Sequence, residues 1–334
     1  MLCRAVAMIL CASAPAWADS SVSVTLNQAG RDLAAQIGAD VQQIISDSEA
    51  RINELFELQG LPPLLRSFAN TAVFANHSLG VDYQPDPNDL MLGIVAGSAI
   101  AADARLSSDK VFSATVVNYG IVASVGLGRW GLPRWTVSAN GSYASTTIRR
   151  LAGELLSGGA HVQYNAIPGV VRGHVRWTGL SVTTGLDVAH WKIGIADELS
   201  LNFPVVGTND RANVELVSKG TLEVVSQTIA VPLEVTSGLR LGNVFGIYGG
   251  GGLTFAGGSS TVTAMLDSVM VINADDVPIG TALITASETD GPSAVTVHGL
   301  AGIALHTRHV RVFVQGLLAP DERAVSLGLR AGLD

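Results

Sequence analysis

Histidines and carboxylates are the residues of this chain whose chemistry could support catalysis or metal binding. His298 and His306 fall on the same face of one predicted strand, and His309 follows the next turn. A metal site needs carboxylate or further imidazole ligands at a fixed geometry, and the spacing along the sequence offers none. Three other histidines are isolated in the same way: His161, His174 and His190. We therefore predict no metal site and no cofactor.

Two further patterns bear on catalysis. Serine, histidine and aspartate are all present, as a Ser–His or Asp–His hydrolase requires, but no local signature marks a nucleophile and its base. The glycine run from Gly249 to Gly252 is followed by neither Gly-Lys-Ser/Thr nor a helix, so it does not predict a phosphate-binding loop. It is typical of a strand that packs closely against another segment. We expect the protein not to be an enzyme.

The N-terminus has the anatomy of a secretory signal peptide. A basic residue and an apolar run precede Ala16-Trp17-Ala18, which forms a small-x-small cleavage site before Asp19. The apolar run is too short to anchor the chain in a membrane. We predict that residues 1–18 are removed on export, with Ala16, Ala18 and Asp19 around the cleaved bond.

Composition favours a membrane protein without disulfides. Charged residues make up 14% of the chain, against roughly 25% in soluble domains, and the mean hydropathy is +0.37. Both cysteines, Cys3 and Cys11, lie in the predicted signal peptide, so we expect no thiol chemistry in the exported chain. The net charge of −8 argues against nucleic acid as a partner.

The hydrophobic stretches do not predict transmembrane helices. The longest charge-free stretch, 241–266, includes four consecutive glycines, and each glycine in a helix costs about 1 kcal/mol relative to alanine. A chain that crosses a membrane without helices must pair all its backbone groups as a closed β-barrel.

A two-residue alternation predicts strands. Apolar and polar residues alternate over 229–236 and again over 325–333. Such alternation places one set of side chains toward lipid and the other in a polar lumen. A soluble β-sandwich has the same period, but the predicted signal peptide and the low charge favour the barrel. The inward set carries scattered charges: Arg176, Asp187, Glu234, Arg311 and Arg330.

The segment ahead of the barrel has a helical period instead. Its apolar residues recur at three- and four-residue steps, and Gly60 and Pro62-Pro63 follow them. This stripe could plug the lumen, cap the periplasmic mouth or lie along the membrane surface, and its acidic polar face favours the plug or cap. Leu64 to Phe74 predicts a further short helical segment. The stripe comprises Leu33, Ile37, Val41, Ile44, Ile45, Ile52, Leu55 and Phe56.

We therefore predict an all-β fold, an antiparallel transmembrane barrel of about 12 strands (roughly 10–14) with an N-terminal amphipathic helical segment. The predicted domains are a signal peptide at 1–18, a helical plug or cap at 19–79 and the barrel at 80–334. The polar stretch from Asn273 to Pro292 predicts a long extracellular loop.

The pattern Val325-x-Leu327-x-Leu329-x-Ala331-x-Leu333 resembles the C-terminal assembly signal of Gram-negative outer-membrane β-barrels. The helical segment ahead of the barrel, with Pro232-Leu233-Glu234-Val235 before the glycine-rich strand 244–257, is similar to long-chain fatty-acid transporters of the FadL type. These resemblances imply a location in the bacterial outer membrane and passage of an apolar molecule through a plugged lumen.

The leading functional prediction is a channel or transporter for a small solute, gated or plugged by the N-terminal helix. A lumen lined by apolar side chains beside the helix would favour a hydrophobic solute, whereas rows of Arg and Glu would favour ions or small polar solutes. The expected partners are outer-membrane lipid and an unidentified small molecule. Two alternatives stay open: a structural or surface-interaction barrel that anchors extracellular loops, and a hydrolase with its site on the barrel wall.

Overall fold

The computed structural model defines a barrel with a helical N-terminal region. The signal-peptide prediction lies outside the described residues, except for Asp19 at the start of the first strand. The described residues are 19–36, 40–55, 61–86, 90–101, 104–107, 110–112, 115–148, 151–204, 213–242, 244–272, 277–307 and 309–332. The helices are α1 (Gln28–Gln36), α2 (Val41–Leu55) and α3 (Leu61–Gly80). The strands are β1 (Asp19–Leu26), β2 (Leu90–Ala101), β3 (Ala104–Ser107), β4 (Lys110–Phe112), β5 (Thr115–Gly126), β6 (Trp135–Ile148), β7 (Leu151–Arg172), β8 (Val175–Pro204), β9 (Asn213–Leu241), β10 (Phe245–Ile272), β11 (Val277–Asp290), β12 (Val295–His306), β13 (Val310–Leu318) and β14 (Glu322–Gly332).

Ten strands close a ring. Starting from β2, the order is β5, β6, β7, β8, β9, β10, β12, β13 and β14, and β14 pairs again with β2. Every pairing is antiparallel, and β1 and β11 bring the sheet to twelve strands. The prediction of an antiparallel barrel of about twelve strands is therefore confirmed. Each of the ten described ring strands therefore pairs with a neighbour on both sides, and none is an edge strand of the ring.

The long strand β10 explains how β11 and β1 join the sheet outside the ring, whereas β3 and β4 form a separate two-stranded sheet. It pairs with β12 over Phe245–Phe255 and then with β11 over Ser260–Ile272. β1 adds to the free edge of β11. The prediction of a long loop at Asn273 to Pro292 is wrong over the described residues, because Val277–Asp290 form β11 and the acidic residues Glu288 and Asp290 lie within that strand. That strand buries Ile279 and Ile284 and covers the edge that β10 would otherwise expose.

The predicted alternation along the strands is confirmed on both faces of the wall. Leu327 and Leu329 are exposed on the outside, whereas Ser326 and Arg330 are buried inside. On another side of the barrel, Ile121 is 70% exposed. A closed barrel pairs its backbone hydrogen-bonding groups within the wall, as the hydrocarbon of a membrane requires, and an apolar outer face suits contact with lipid. The fold is that of an outer-membrane β-barrel.

The two ends of the barrel differ. At the end that we call the short-turn mouth, tight turns join β7 to β8, β9 to β10 and β12 to β13, and Gly173 and Gly242 supply the positive φ that two of these turns need. At the opposite end, the long-strand mouth, β8, β9 and β10 extend well beyond their neighbours and carry β11 and β1.

Helices α1 and α2 pack at the long-strand mouth. Asn27 caps α1, because its Oδ1 accepts a hydrogen bond from the Gly30 N–H at 2.9 Å. Both helices contact β1, and α1 also contacts β11. None of the described helices has the length and apolarity needed to cross a membrane.

The apolar stripe predicted for a plug packs against this extension of the sheet. Leu33 and Ile45 pack beside buried side chains of β9, β10 and β11, among them Leu216 and Met270. Ile44 and Val41 pack with Leu26 and Ala34. The remaining stripe positions lie outside what the structure describes: Ile37 and Phe56 altogether, and Ile52 and Leu55 in their side chains.

The lumen of the ring is occupied by α3. All nine residues from Ala69 to His77 are buried, so more than two full turns are covered on every side. A helix buried all round must be surrounded by other elements, and α3 packs against nine of the ten ring strands as well as β3 and β11. The predicted helical segment Leu64 to Phe74 is therefore the middle of a longer helix that lies inside the barrel.

Candidate functional site

α3 is tied to the wall at three levels along the lumen. At the long-strand mouth, Asn70 Nδ2 donates a hydrogen bond to Glu322 Oε1 at 2.6 Å. Asn70 Oδ1 in turn accepts one from the Ser293 N–H at 2.7 Å. One turn earlier, Arg66 pairs with Asp290 at 3.0 Å, although its side chain is largely exposed.

The middle level is a buried cluster of three histidines and two carboxylates, which we call the luminal cluster. His77 on α3 places its Nδ1 3.2 Å from Asp187 Oδ2 and its Nε2 2.9 Å from Glu234 Oε1. His161 Nε2 lies 3.2 Å from Asp187 Oδ2, and His298 Nε2 lies 2.9 Å from Glu234 Oε1. All five side chains are at most 2% exposed.

Glycines on neighbouring strands make room for the wall members of this cluster. Gly252 pairs with His298 on one side and with Glu234 on the other. A Cβ at Gly252 would lie 2.9 Å from Glu234 Cα and Cγ, which is closer than such atoms approach. On the other side of the lumen, Asp187 and His161 also stand opposite glycines in the strand register.

The protonation of His77 follows from its neighbours. Each ring nitrogen faces a carboxylate oxygen, which only accepts hydrogen bonds when ionised. Both nitrogens must therefore donate, and the ring is an imidazolium between Asp187 and Glu234. A charged ring with both donors satisfied is the arrangement that makes a buried cation tolerable.

The third level lies at the short-turn mouth, where the connection from α3 to β2 meets arginines of the wall. Asp82 contacts Arg311 and lies 3.2 Å from Arg330 Nη1. Asp86 Oδ2 lies 2.8 Å from Arg240 Nη1. We call these five residues the arginine–aspartate cluster. Arg240 also donates to the carbonyl of Gln84, and His306 Nε2 lies 3.1 Å from the Gln84 side chain.

The arginines control the ionisation of Asp82. Burial by itself raises the pKa of this carboxyl, but the charges of Arg311 and Arg330 outweigh it and lower the pKa to about 2. Asp82 is therefore ionised at any physiological pH.

Between these polar levels the contacts of α3 with the wall are apolar. Phe68 packs edge-on against Trp191, with ring centroids 5.6 Å apart. Phe74 makes a similar contact with His298 at 5.9 Å. The inward-facing apolar side chains of the wall that are buried with α3 include Leu155, Trp191, Leu300, Phe313 and Leu317.

Two overlapping sets in the luminal cluster have the composition of metal ligands. His77, Glu234 and His298 form one set, and His77, His161 and Asp187 form the other. In each set the donor atoms all lie within 4.8 Å of one another. Two imidazoles with one carboxylate is a ligand set used by zinc and by non-haem iron.

The prediction of no metal site rested on spacing along the sequence, and the fold brings together residues that are far apart in it. His161 and His298, judged isolated, meet across the lumen through His77. The charges Asp187 and Glu234 were expected to face inward, and both do. His77 was missed, because it lies just beyond the segment predicted as helical.

Comparison with known proteins gives a family and a set of barrels. A family model described as Lsa36-like matches residues 6–333, whereas no curated protein matches the chain. Among solved structures, the chain is similar to the translocator domain of the autotransporter NalP from Neisseria meningitidis, at 8% identity over 73% of this chain and 88% of that one, with a TM-score of 0.31. It is also similar to the outer membrane protease OmpT from Escherichia coli, at 8% identity over 74% of this chain and 97% of that one, with a TM-score of 0.34. For a mutant of the monoaromatic hydrocarbon channel TodX the identity is 9% over 74% and 90% of the two chains, with a TM-score of 0.24.

Proposed function

This chain belongs to the Lsa36-like family, and we propose that it is an outer-membrane channel whose lumen α3 closes at rest. The observation that supports the proposal is the burial of α3 on every side within a ring of ten strands. Opening requires α3 to move, because it fills the path between the two mouths. The proposed function is passage of a solute, without a chemical step.

The solute that we propose is small and apolar. Movement of α3 would expose inward-facing apolar side chains of the wall, including Leu155, Trp191 and Phe313. Such side chains bind apolar molecules by removing their surface from water. Passage of an apolar molecule through a plugged lumen is also what the resemblance to FadL-type transporters implies.

Buried ion pairs suit a helix that must move. Replacing such pairs by apolar residues is often neutral or stabilising, so a permanent seal has no need of them. Here buried charged pairs join α3 and its connection to the wall at two of the three levels, at His77 and at Asp82, whereas the Arg66–Asp290 pair at the remaining level is largely exposed on its arginine side. We infer that the polar levels hold α3 in place at rest and are broken when the channel opens.

A second candidate is a barrel that displays its N-terminal region at the cell surface. In outer-membrane barrels short turns face the periplasm and longer loops face outward, which would place the long-strand mouth outside. The observation that favours display is the packing of β1, α1 and α2 on the strands that extend there. In this case α3 would be a permanent filling of the lumen.

A reversible tether of α3 distinguishes the two candidates. Asn70 and Ser293 share two hydrogen bonds, so cysteines at these positions can be joined by a disulfide. The tether is built with Cys3 and Cys11 replaced by Ser, and each single-cysteine variant serves as its matched control.

Conductance in planar bilayers is recorded before and after reduction. The channel proposal expects openings in the reduced protein, none in the oxidised protein, and no redox effect in the controls. Equal conductance in both states would show that α3 is not the gate. Absence of conductance in both the reduced and the oxidised state of a folded protein would reject the channel and favour surface display.

A further inference from the structure

We propose that the luminal cluster binds one divalent transition-metal ion, with Zn²⁺ as the reference ion, through His77 Nε2, Glu234 Oε1 and His298 Nε2. The three donors come from α3, β9 and β12. We call this the luminal metal site.

The geometry of the three donor atoms suits a small ion. Both imidazole Nε2 atoms lie 2.9 Å from the same Glu234 oxygen. Zinc binds nitrogen and carboxylate oxygen at about 2.0–2.2 Å, so its ligand atoms stand roughly 3 Å apart. Only small shifts are needed to admit the ion, and a site with three protein ligands keeps a position for water or another ligand.

Each proposed ligand already has the outer partner that metal ligands require. The second nitrogen of His77 faces Asp187 at 3.2 Å, and that of His298 faces Thr254 Oγ1 at 3.4 Å. The second oxygen of Glu234 accepts a hydrogen bond from the Tyr83 hydroxyl at 2.8 Å. Such partners fix the orientation and tautomer of metal-bound histidines.

The overlapping set of His77, His161 and Asp187 is the weaker choice. His161 Nδ1 is buried without a hydrogen-bond partner among the described residues, so this histidine lacks the outer contact that His298 has. Asp187 already accepts hydrogen bonds from both histidines and faces Asn76 Nδ2 at 3.5 Å. In our proposal Asp187 is the outer partner of His77 and not a ligand.

Charge also favours a cation at this level. Two carboxylates, Asp187 and Glu234, are buried in this cluster. A divalent ion carries the charge that offsets both of them. Uncompensated charge in a fully buried site is costly, so the metal stabilises the folded protein with α3 inside.

One consequence rests on the proposed function. Because one ligand lies on α3 and two lie on the wall, the ion would join the helix to β9 and β12. The bound metal would then hold the channel closed, and a chelator would increase its opening.

Metal binding itself is measured without reference to conductance. The folded chain is purified in detergent, freed of metal with a chelator, and loaded with Co²⁺ or Zn²⁺ both by long equilibration and during refolding, because the site is buried. We expect about one ion per chain by elemental analysis. We also expect the strong visible absorption of four- or five-coordinate Co²⁺, which Zn²⁺ abolishes by competition.

The variants assign the ion to its ligands. His77→Gln and His298→Gln should each weaken binding by well over 100-fold, since loss of an outer partner alone costs roughly 10–100-fold. Tyr83→Phe removes the outer partner of Glu234 and should weaken metal binding by roughly 10–100-fold. His174→Gln, at the exposed turn after β7, controls for binding to surface histidines and should bind as the parent does.

His161→Gln decides between the two sets. Binding retained in this variant and lost in His298→Gln supports the proposal, whereas the reverse pattern overturns the assignment. A folded parent protein that binds no ion in either loading procedure overturns the site altogether. If the ion binds as proposed but chelation leaves conductance unchanged, the metal site stands and the gating role of α3 fails.

Discussion

Replacing Asp82 by Asn tests whether the arginine–aspartate cluster keeps α3 in the lumen. Asp82 is buried in the connection after α3 and contacts Arg311 and Arg330 of the wall. Asparagine keeps the size of the side chain and removes its charge. The two guanidinium groups, both nearly inaccessible to solvent, then lose the partner that neutralises them, and we expect the closed state to be destabilised relative to the open one.

The size of the effect follows from the same contacts. The lowering of the Asp82 pKa from 3.8 to about 2 corresponds to roughly 2.5 kcal/mol in favour of the ionised carboxyl. Breaking a buried ion pair costs about 3–5 kcal/mol in general. In the variant Arg311 still lies 3.6 Å from Asp86. We therefore expect Asp82→Asn to destabilise the closed state by about 3 kcal/mol, the lower end of that range. That energy raises the ratio of open to closed channels roughly 150-fold.

The assay is single-channel recording in planar bilayers, with heat-modifiable gel migration as the check on folding. Asp321→Asn, in the exposed turn between β13 and β14, is the matched control and should leave opening unchanged. A folded Asp82→Asn variant with the open probability of the parent would refute the reasoning.

The same variant carries a pH test. The folded pKa of Asp82 lies below its unfolded value, so its contribution is present above about pH 4 and is lost as the pH falls through about 2. The difference in thermal stability between the parent and Asp82→Asn should therefore shrink toward pH 2. A difference that persists at pH 2 would mean that the charge of Asp82 is not its cause.

Two further substitutions test the wall. Leu327→Arg places a charge on the lipid-facing side and should destabilise the folded barrel by about 2–4 kcal/mol near the bilayer midplane. Urea unfolding in lipid vesicles measures this loss of stability. A loss below about 0.5 kcal/mol would argue against membrane contact at this position. Gly252→Ala crowds Glu234 and should lower the free energy of unfolding by about 1–3 kcal/mol through overpacking. Gly249→Ala should lower it less, because its new Cβ would lie 3.4 Å from the Leu300 carbonyl oxygen. Equal unfolding midpoints for the two alanine variants would contradict the role assigned to Gly252.

The wall of the barrel could be predicted from sequence because its signal is local. Alternation over 325–333 requires only that neighbouring residues face opposite sides, and β14 follows it residue by residue. Between 273 and 292 the strand prediction failed, because glycine and acidic residues there indicated a loop. There Asp275-Asp276 precede β11 in the sequence, Asp290 ends it and Gly291-Pro292 follow, and these residue types are typical of turns.

The helix inside the lumen, α3, could not be identified in the same way. An amphipathic stripe indicates a helix with one buried face, and that is how α1 and α2 pack at the long-strand mouth. A helix inside a barrel is buried all round and shows no single stripe. α3 mixes apolar residues with Asn70, Asn76 and His77 around its circumference, so its sequence suggested only a short helical segment.

The luminal cluster escaped prediction because its members meet through strand register. His161 and Asp187 lie on neighbouring strands, and Glu234 and His298 lie on the two strands that flank β10. Spacing along the chain contains no information on which strands become neighbours. The glycine run is the sequence pattern that could have indicated this cluster, because Gly252 pairs with His298 on one neighbouring strand and with Glu234 on the other.

The pairing of β14 with β2 has a consequence for assembly. These two strands are the last and first of the ring, and β14 also contacts the middle of α3, through Glu322 to Asn70, and the connection after α3, through Arg330 to Asp82. Contacts so distant in sequence form late, because closing a long loop costs entropy before any contact forms. The helix must therefore already lie between the strands when β14 pairs with β2. A chain that closes too early would trap α3 outside, and such misassembled intermediates are the species most prone to aggregate.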